Sequence, residues 1–181
     1  DAQVIFETLN ARGEPLLPAD LLRNFIFLRA ARQNEEQEAL YKKYWAAFDE
    51  PFWRQEVVQG RLMRPRSDLF IQHFLASKQA RDIPIKHLFV EYKYWVERSA
   101  PYKTVEAELA ALAKQGKDFR RLVGRSDADT LGPLAHFLET FDISTVFPPL
   151  LAMLDLGASD DEMREAARVL ESYLLRRTVC V

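Results

Sequence analysis

The sequence predicts an all-α fold, an irregular bundle of eight or nine helices, and three observations carry that expectation. Apolar residues recur at i, i+3, i+4 and i+7 in segment after segment, the spacing that places them on one helical face. Strict alternation over five or more residues between turn signals is not found, and no Asn-Gly or Asp-Gly pair offers a hairpin turn, so a sheet is not expected. The composition, 48% hydrophobic and 29% charged over 181 residues, is that of a globular chain forming a single domain, 1–181.

The elements follow in order. A first helix spans 2–10; Gly13 permits a tight exit and Pro15 prevents immediate resumption. The second, 18–33, has Pro18 at its first position and Asp20 in its first turn, both favoured there. Its Leu21, Leu22, Phe25, Ile26 and Leu28 make a broad apolar surface that belongs in the core. Tyr41, Tyr44, Trp45 and Phe48 mark a helix over 36–49. Glu50 to Arg66, with Pro51, Gly60 and Pro65, reads as a long surface loop holding one short helical turn.

Ser67 precedes a helix over 67–78, and Pro84 opens 84–99, where Ile85, Leu88, Phe89, Tyr92, Trp95 and Val96 share a face. Thr104 opens 104–123, whose stripe Val105, Leu109, Leu112, Phe119 and Leu122 has a gap at Gly116. Leu131, Leu134, Ala135, Leu138 and Phe141 define 130–141. Ser144 opens 145–156, which Gly157 stops. Ser159 with Glu162 forms a capping box at the head of 159–178, and Asp160 with Arg164 is a favourable i, i+4 pair.

Charge and motif content narrow the chemistry. Acidic and basic residues nearly cancel, at a net charge of -2, so a nucleic-acid contact has to be a local patch. His73, His87 and His136 lie far apart in sequence, none in an H-x-x-x-H or H-E-x-x-H arrangement, and read as surface or partly buried histidines with no metal role. Cys180 is a lone cysteine and reads as incidental. There is no G-x-x-x-x-G-K-[ST] phosphate loop and no G-x-S-x-G elbow. No catalytic residue is therefore assigned. No apolar run approaches the roughly 20 residues that span a bilayer, and no signal-peptide pattern is seen, so a cytoplasmic location is expected.

Two basic features are candidate DNA-backbone contacts. Arg54, Arg61, Arg64 and Arg66 cluster near Phe52 and Trp53, a combination that can hold phosphate and stack on a base. Lys114, Lys117 and Arg121 share one helical face, with Arg120 and Arg125 nearby. Solvated charge balanced by neighbouring acids such as Asp118 is the competing reading of both.

The most specific stretch is Ile5-Phe-Glu-Thr-Leu-Asn-Ala-Arg-Gly-Glu-Pro-Leu-Leu-Pro-Ala-Asp-Leu-Leu-Arg-Asn24. Its Asn10 and Arg12 stand polar at a bend between two apolar helices, where they either cap backbone groups or hold a phosphate or carboxylate. The segment resembles the F-E-x-L-N-x-R-G…L-x-x-x-D-L-L-[KR]-N signature of the GmrSD-type restriction endonuclease family. Leu170-Glu-Ser-Tyr-Leu-Leu-Arg-Arg177 is similar to the E-x-Y-L-x-R-R segment that closes the helical part of those proteins.

The resemblance implies a helical region between a ParB-like nucleotidase domain bearing D-G-Q-Q-R and a C-terminal HNH-type nuclease domain. It implies nucleotide-stimulated cleavage of foreign, often modified, phage DNA by the parent protein, with nucleotide and divalent metal as its cofactors. Neither D-G-Q-Q-R nor an HNH-like cluster occurs here. On this reading the chain is a catalytically silent, cofactor-free fragment whose partners are its flanking domains and DNA. The resemblance places Asn10, Arg12 and Gly13 near the nucleotide site. Leu17 stands where relatives carry a Ser or Thr cap, which should weaken the following helix by roughly 1 kcal/mol. A helical protein-interaction scaffold with no nucleic-acid role is the alternative.

Overall fold

A computed structural model describes residues 17–59, 62–124, 126 and 128–179. The predicted helix 2–10, Asn10, Arg12, Gly13, Arg61, Arg125 and Cys180 lie outside the described residues. Within them the chain is an all-α multi-helix bundle with one small two-stranded sheet. No described helix is long and apolar enough to cross a membrane.

Helix α1 (Pro18–Arg32) starts with Pro18 and buries Leu22, Phe25, Ile26 and Ala30. Leu17, at its N-cap, makes no side-chain cap bond. The local weakness expected there is met from a distance: the backbone N–H of Ala19 donates to Oδ1 of Asp68 at 3.0 Å.

The stretch expected as one helix over 36–49 is helical throughout but changes winding twice. It opens as α2 (Gln37–Leu40), widens to a π-helical turn over Tyr41–Trp45, then tightens to a 3-10 turn over Ala46–Asp49. Trp45 is buried by this path, while Tyr41 and Tyr44 reach out to Asp49 and Glu106 through their hydroxyls.

Glu50 to Arg66 is not the loop that the sequence suggested. A helical turn, α3 (Pro51–Arg54), buries Trp53. Strands β1 (Glu56–Gln59) and β2 (Leu62–Pro65) then pair antiparallel, with Val57 opposite Arg64 and Val58 opposite Met63. Each strand has only four residues, too short to register as a run of five alternating positions. The amide of Arg66 donates to the carbonyl of Gln55 and closes the base of the ribbon.

Helix α4 (Arg66–Gln79) follows directly, with Pro65 at its N-cap rather than the serine that the sequence suggested. A 3-10 turn (Ile85–His87) leads into α5 (Leu88–Ser99). Helix α6 (Val105–Val123) is the longest of the central helices and packs on α1, α4, α7 (Gly132–Thr140), α8 (Phe147–Asp155) and the π-helical turn. Its start is doubly capped: Thr104 accepts from the Ala107 amide, and Glu35 accepts from the amides of Val105 and Glu106, both at 2.8 Å. Glu35→Ala should cost about 1 kcal/mol, typical for a lost cap, with the glutamine variant losing less. Chemical denaturation of the two variants checks this, and equal loss in both would sink it.

Gly116 explains the gap in the α6 stripe. A methyl group there would stand 2.9 Å from the Phe48 ring, so the glycine lets that ring lie against the helix. Around it runs a chain of rings: Trp45, Phe48, Phe70, Trp53, Phe119 and Phe147 make successive contacts across six elements. Helix α9 (Asp160–Val179) completes the bundle. The Ser159–Glu162 capping box forms as expected, and Gly157 has φ +87°. The expected Asp160–Arg164 pair does not form: Arg164 pairs with Asp161, and Asp160 is taken by Arg121.

Candidate functional site

The candidate basic residues fall into two groups on the fold, and most of those described are already occupied. Arg54 lies on the exposed side of α3 and is 3.6 Å from Asp49, which Arg23 approaches equally closely. Arg64, on β2, is half-buried, and its charge favours the ionised form of Asp68. Arg66 donates to the Phe52 carbonyl at 3.0 Å and lies 4.2 Å from the centre of the Phe52 ring. Burial lowers the pKa of Arg66, against the raising influence of Glu139.

Arg120 approaches the same ring at 4.3 Å while pairing with Glu50. Phe52 therefore carries two guanidinium groups of its own chain, and Trp53 is buried. The aromatic faces that the sequence offered for stacking on a base are used inside the fold.

On α6, Lys114 donates to the Leu154 carbonyl at 3.1 Å and contacts the Asp155 carboxylate at 3.4 Å. Arg121 makes a two-point contact to Asp129 at 2.9 and 3.1 Å and a third to Asp160 at 3.0 Å. Those hydrogen bonds raise the pKa of Arg121 and lower that of Asp129. Lys117, between them in sequence, is exposed. Lys114 and Arg121 thus serve as clamps from α6 to the segment ahead of α7 and to the α8–α9 junction. A guanidinium already facing a carboxylate adds little net attraction for a phosphate.

Two buried acids went unremarked in the sequence, and one histidine lies deeper than expected. Glu108 is fully buried, accepting from Arg29 at 2.5 Å and from the Tyr92 hydroxyl at 2.8 Å. It ties α1, α5 and α6 together. Burial raises its pKa despite the Arg29 charge beside it. Asp68 is fully buried, and burial lifts its pKa to about 6, opposed by the Ala19 hydrogen bond and by Arg64. His73 lies between the rings of Phe119 and Phe147, at 6.2 and 5.2 Å, and burial lowers its pKa from 6.5 to about 4.

His73 was expected at the surface or partly buried; instead it is a core residue that walls two openings. One is an apolar cavity of about 120 Å³ beneath β1, with Arg66, Glu139 and Asp142 at its margin. The other is an open groove of about 580 Å³ between α4 and α8. His87 and His136 are exposed. Among the described residues no three His, Cys, Asp or Glu side chains converge as metal ligands would.

A signal for two of these groups was present in the sequence. Glu108 stands one turn beyond Val105 on the buried stripe, and Asp68 shares a face with Ile71 and Leu75. An acid on an apolar stripe calls for a partner. Comparison with family models, with curated proteins and with solved structures gives no match for this chain.

Proposed function

We propose that the chain is the helical connecting body of a GmrSD-like, nucleotide-dependent restriction protein directed at modified, invading DNA. In this reading it has no catalytic centre of its own. Nucleotide and divalent metal act in flanking domains of the same polypeptide. The observation that carries the proposal is the twenty-residue segment from Ile5 to Asn24, whose signature residues Asn10, Arg12 and Gly13 lead into α1. The trans cap from Asp68 supports it, because that bond fixes the start of α1 to α4 and makes the body a firm mount for whatever precedes it.

The test is direct. The purified chain, given nucleotide, magnesium or manganese and modified DNA, should neither hydrolyse nor cut. Activity that is abolished by a point substitution within the chain would overturn the proposal. DNA contact is expected from Arg61, from Arg64 on β2 and from the exposed Lys117. Changing Arg61, Arg64 and Arg66 together to alanine should weaken DNA binding by the full-length protein and flatten its salt dependence. An unchanged slope would remove DNA from the role of this body.

One observation favours the scaffold alternative: Arg66, Lys114, Arg120 and Arg121 are held by acceptors of their own chain. Reading the parent gene on both sides, for D-G-Q-Q-R upstream and a histidine–asparagine nuclease motif downstream, separates the two.

A further inference from the structure

Helix α9 has two apolar faces, and only one is used. Met163 and Ala167 are buried against the body, and Leu170 and Leu174 are half-buried beside them. A second row lies to one side of that face. Val169 and Tyr173 are 59% and 53% exposed, one helical turn apart. Extending the row by one i, i+4 step each way reaches Glu165 at its start and Arg177 at its end, both exposed. The row therefore reads acid, apolar, apolar, base, at equal spacing over about 18 Å of helix.

That order is complementary to itself when reversed. Turn a second α9 antiparallel, with the two-fold axis level with Glu171, and Val169 meets Tyr173 twice while Glu165 meets Arg177 twice. Antiparallel pairing also opposes the two helix dipoles. Glu165 has only a solvent-exposed contact with Arg168, at 3.7 Å, to give up.

From this we propose that the outer face of α9 is a homodimer interface, its occupant a second copy of this chain related by a two-fold axis. The reading is independent of the restriction proposal. One helix pair buries less than the ~800 Å² per partner of a standard interface, so the dimer is weak and concentration-dependent. The charges set its register and direction, and the Val169–Tyr173 contacts supply the apolar centre.

Sedimentation equilibrium on the purified chain tests this. The wild-type chain should pass from monomer to dimer as concentration rises. Glu165→Arg places like charges opposite each other twice and should raise the dissociation constant at least ~10-fold. Arg177→Glu should do the same. The double variant, Glu165→Arg with Arg177→Glu, rebuilds both pairs with reversed sign and should return to within ~3-fold of wild type. Val169→Asp should leave only monomer. All three substituted positions are exposed, and far-UV circular dichroism checks that each variant is folded. A wild-type chain that stays monomeric throughout overturns the proposal. So does a dimer indifferent to Val169→Asp, or a double variant no tighter than the single ones.

Discussion

Replacing Arg29 with alanine should lower the stability of this chain by about 3 kcal/mol, the lower end of the range for a broken buried ion pair. The guanidinium lies 2.5 Å from a Glu108 carboxylate with no solvent exposure, while Arg29 itself keeps one edge in water. Without it, Glu108 retains only the Tyr92 hydroxyl. A buried carboxylate with one neutral donor must either stay charged at a large desolvation cost or take up a proton. Both weaken the junction of α1, α5 and α6. Lysine at position 29 should recover part of the loss, because it restores charge without the planar fork.

The sharper control removes the whole network. Arg29→Met, Glu108→Leu and Tyr92→Phe together leave no orphaned polar atom and should come within about 1 kcal/mol of wild type. Urea denaturation of the single and triple variants reads both results. A triple variant as unstable as Arg29→Ala would mean that packing, not charge compensation, holds this junction.

The second large effect is a pair of opposing pH dependences. The pKa of His73 falls from 6.5 to about 4 on folding, so its neutral form is the one that the core accepts. Its contribution is fully present above pH 6.5 and is lost as pH falls toward 4, amounting to about 3 kcal/mol. Asp68 runs the other way. Its pKa rises from 3.8 to about 6, so its contribution is present below pH 3.8 and is lost as pH climbs through 6, again about 3 kcal/mol.

In the wild-type chain the two trends offset each other between pH 4 and 6. Single substitutions separate them. His73→Phe keeps a ring between Phe119 and Phe147 and leaves the Asp68 trend, so stability should decline as pH rises across that window. Asp68→Asn keeps an acceptor for the Ala19 amide and leaves the His73 trend, so stability should decline as pH falls. Denaturation midpoints of the two variants across the window should therefore slope in opposite directions. Parallel curves would refute the assignment.

Much of this architecture was legible in the sequence, and what was not has a physical reason. The helices after Arg66 were found because each has one apolar face, and helix propensity and tertiary burial agree there. The Ser159–Glu162 cap was found because both partners are local. The Thr104 cap on α6 was local and was found; the Asp68 cap on α1 and the added Glu35 cap on α6 were missed because both come from positions outside the helix's own neighbourhood, and spacing rules see only neighbours. The ribbon was missed because its strands are short and two prolines suggested irregularity; the Gly60-Arg61 pair between them was the available turn signal.

Position alone made Arg66 and Arg121 look like phosphate ligands. Only the fold reveals that Phe52 and Asp129 hold them. Asn10, Arg12, Gly13 and Arg61 keep their sequence-based roles as proposals.

The two distant caps also bear on how the chain assembles. The first turn of α1 is completed by an acceptor from α4, and that of α6 by Glu35 in addition to its own Thr104. Both helix starts are thus tied to residues distant in the chain, not to local capping alone. The Ala19, Val105 and Glu106 amides are therefore expected to exchange more slowly than those of an uncapped helix start.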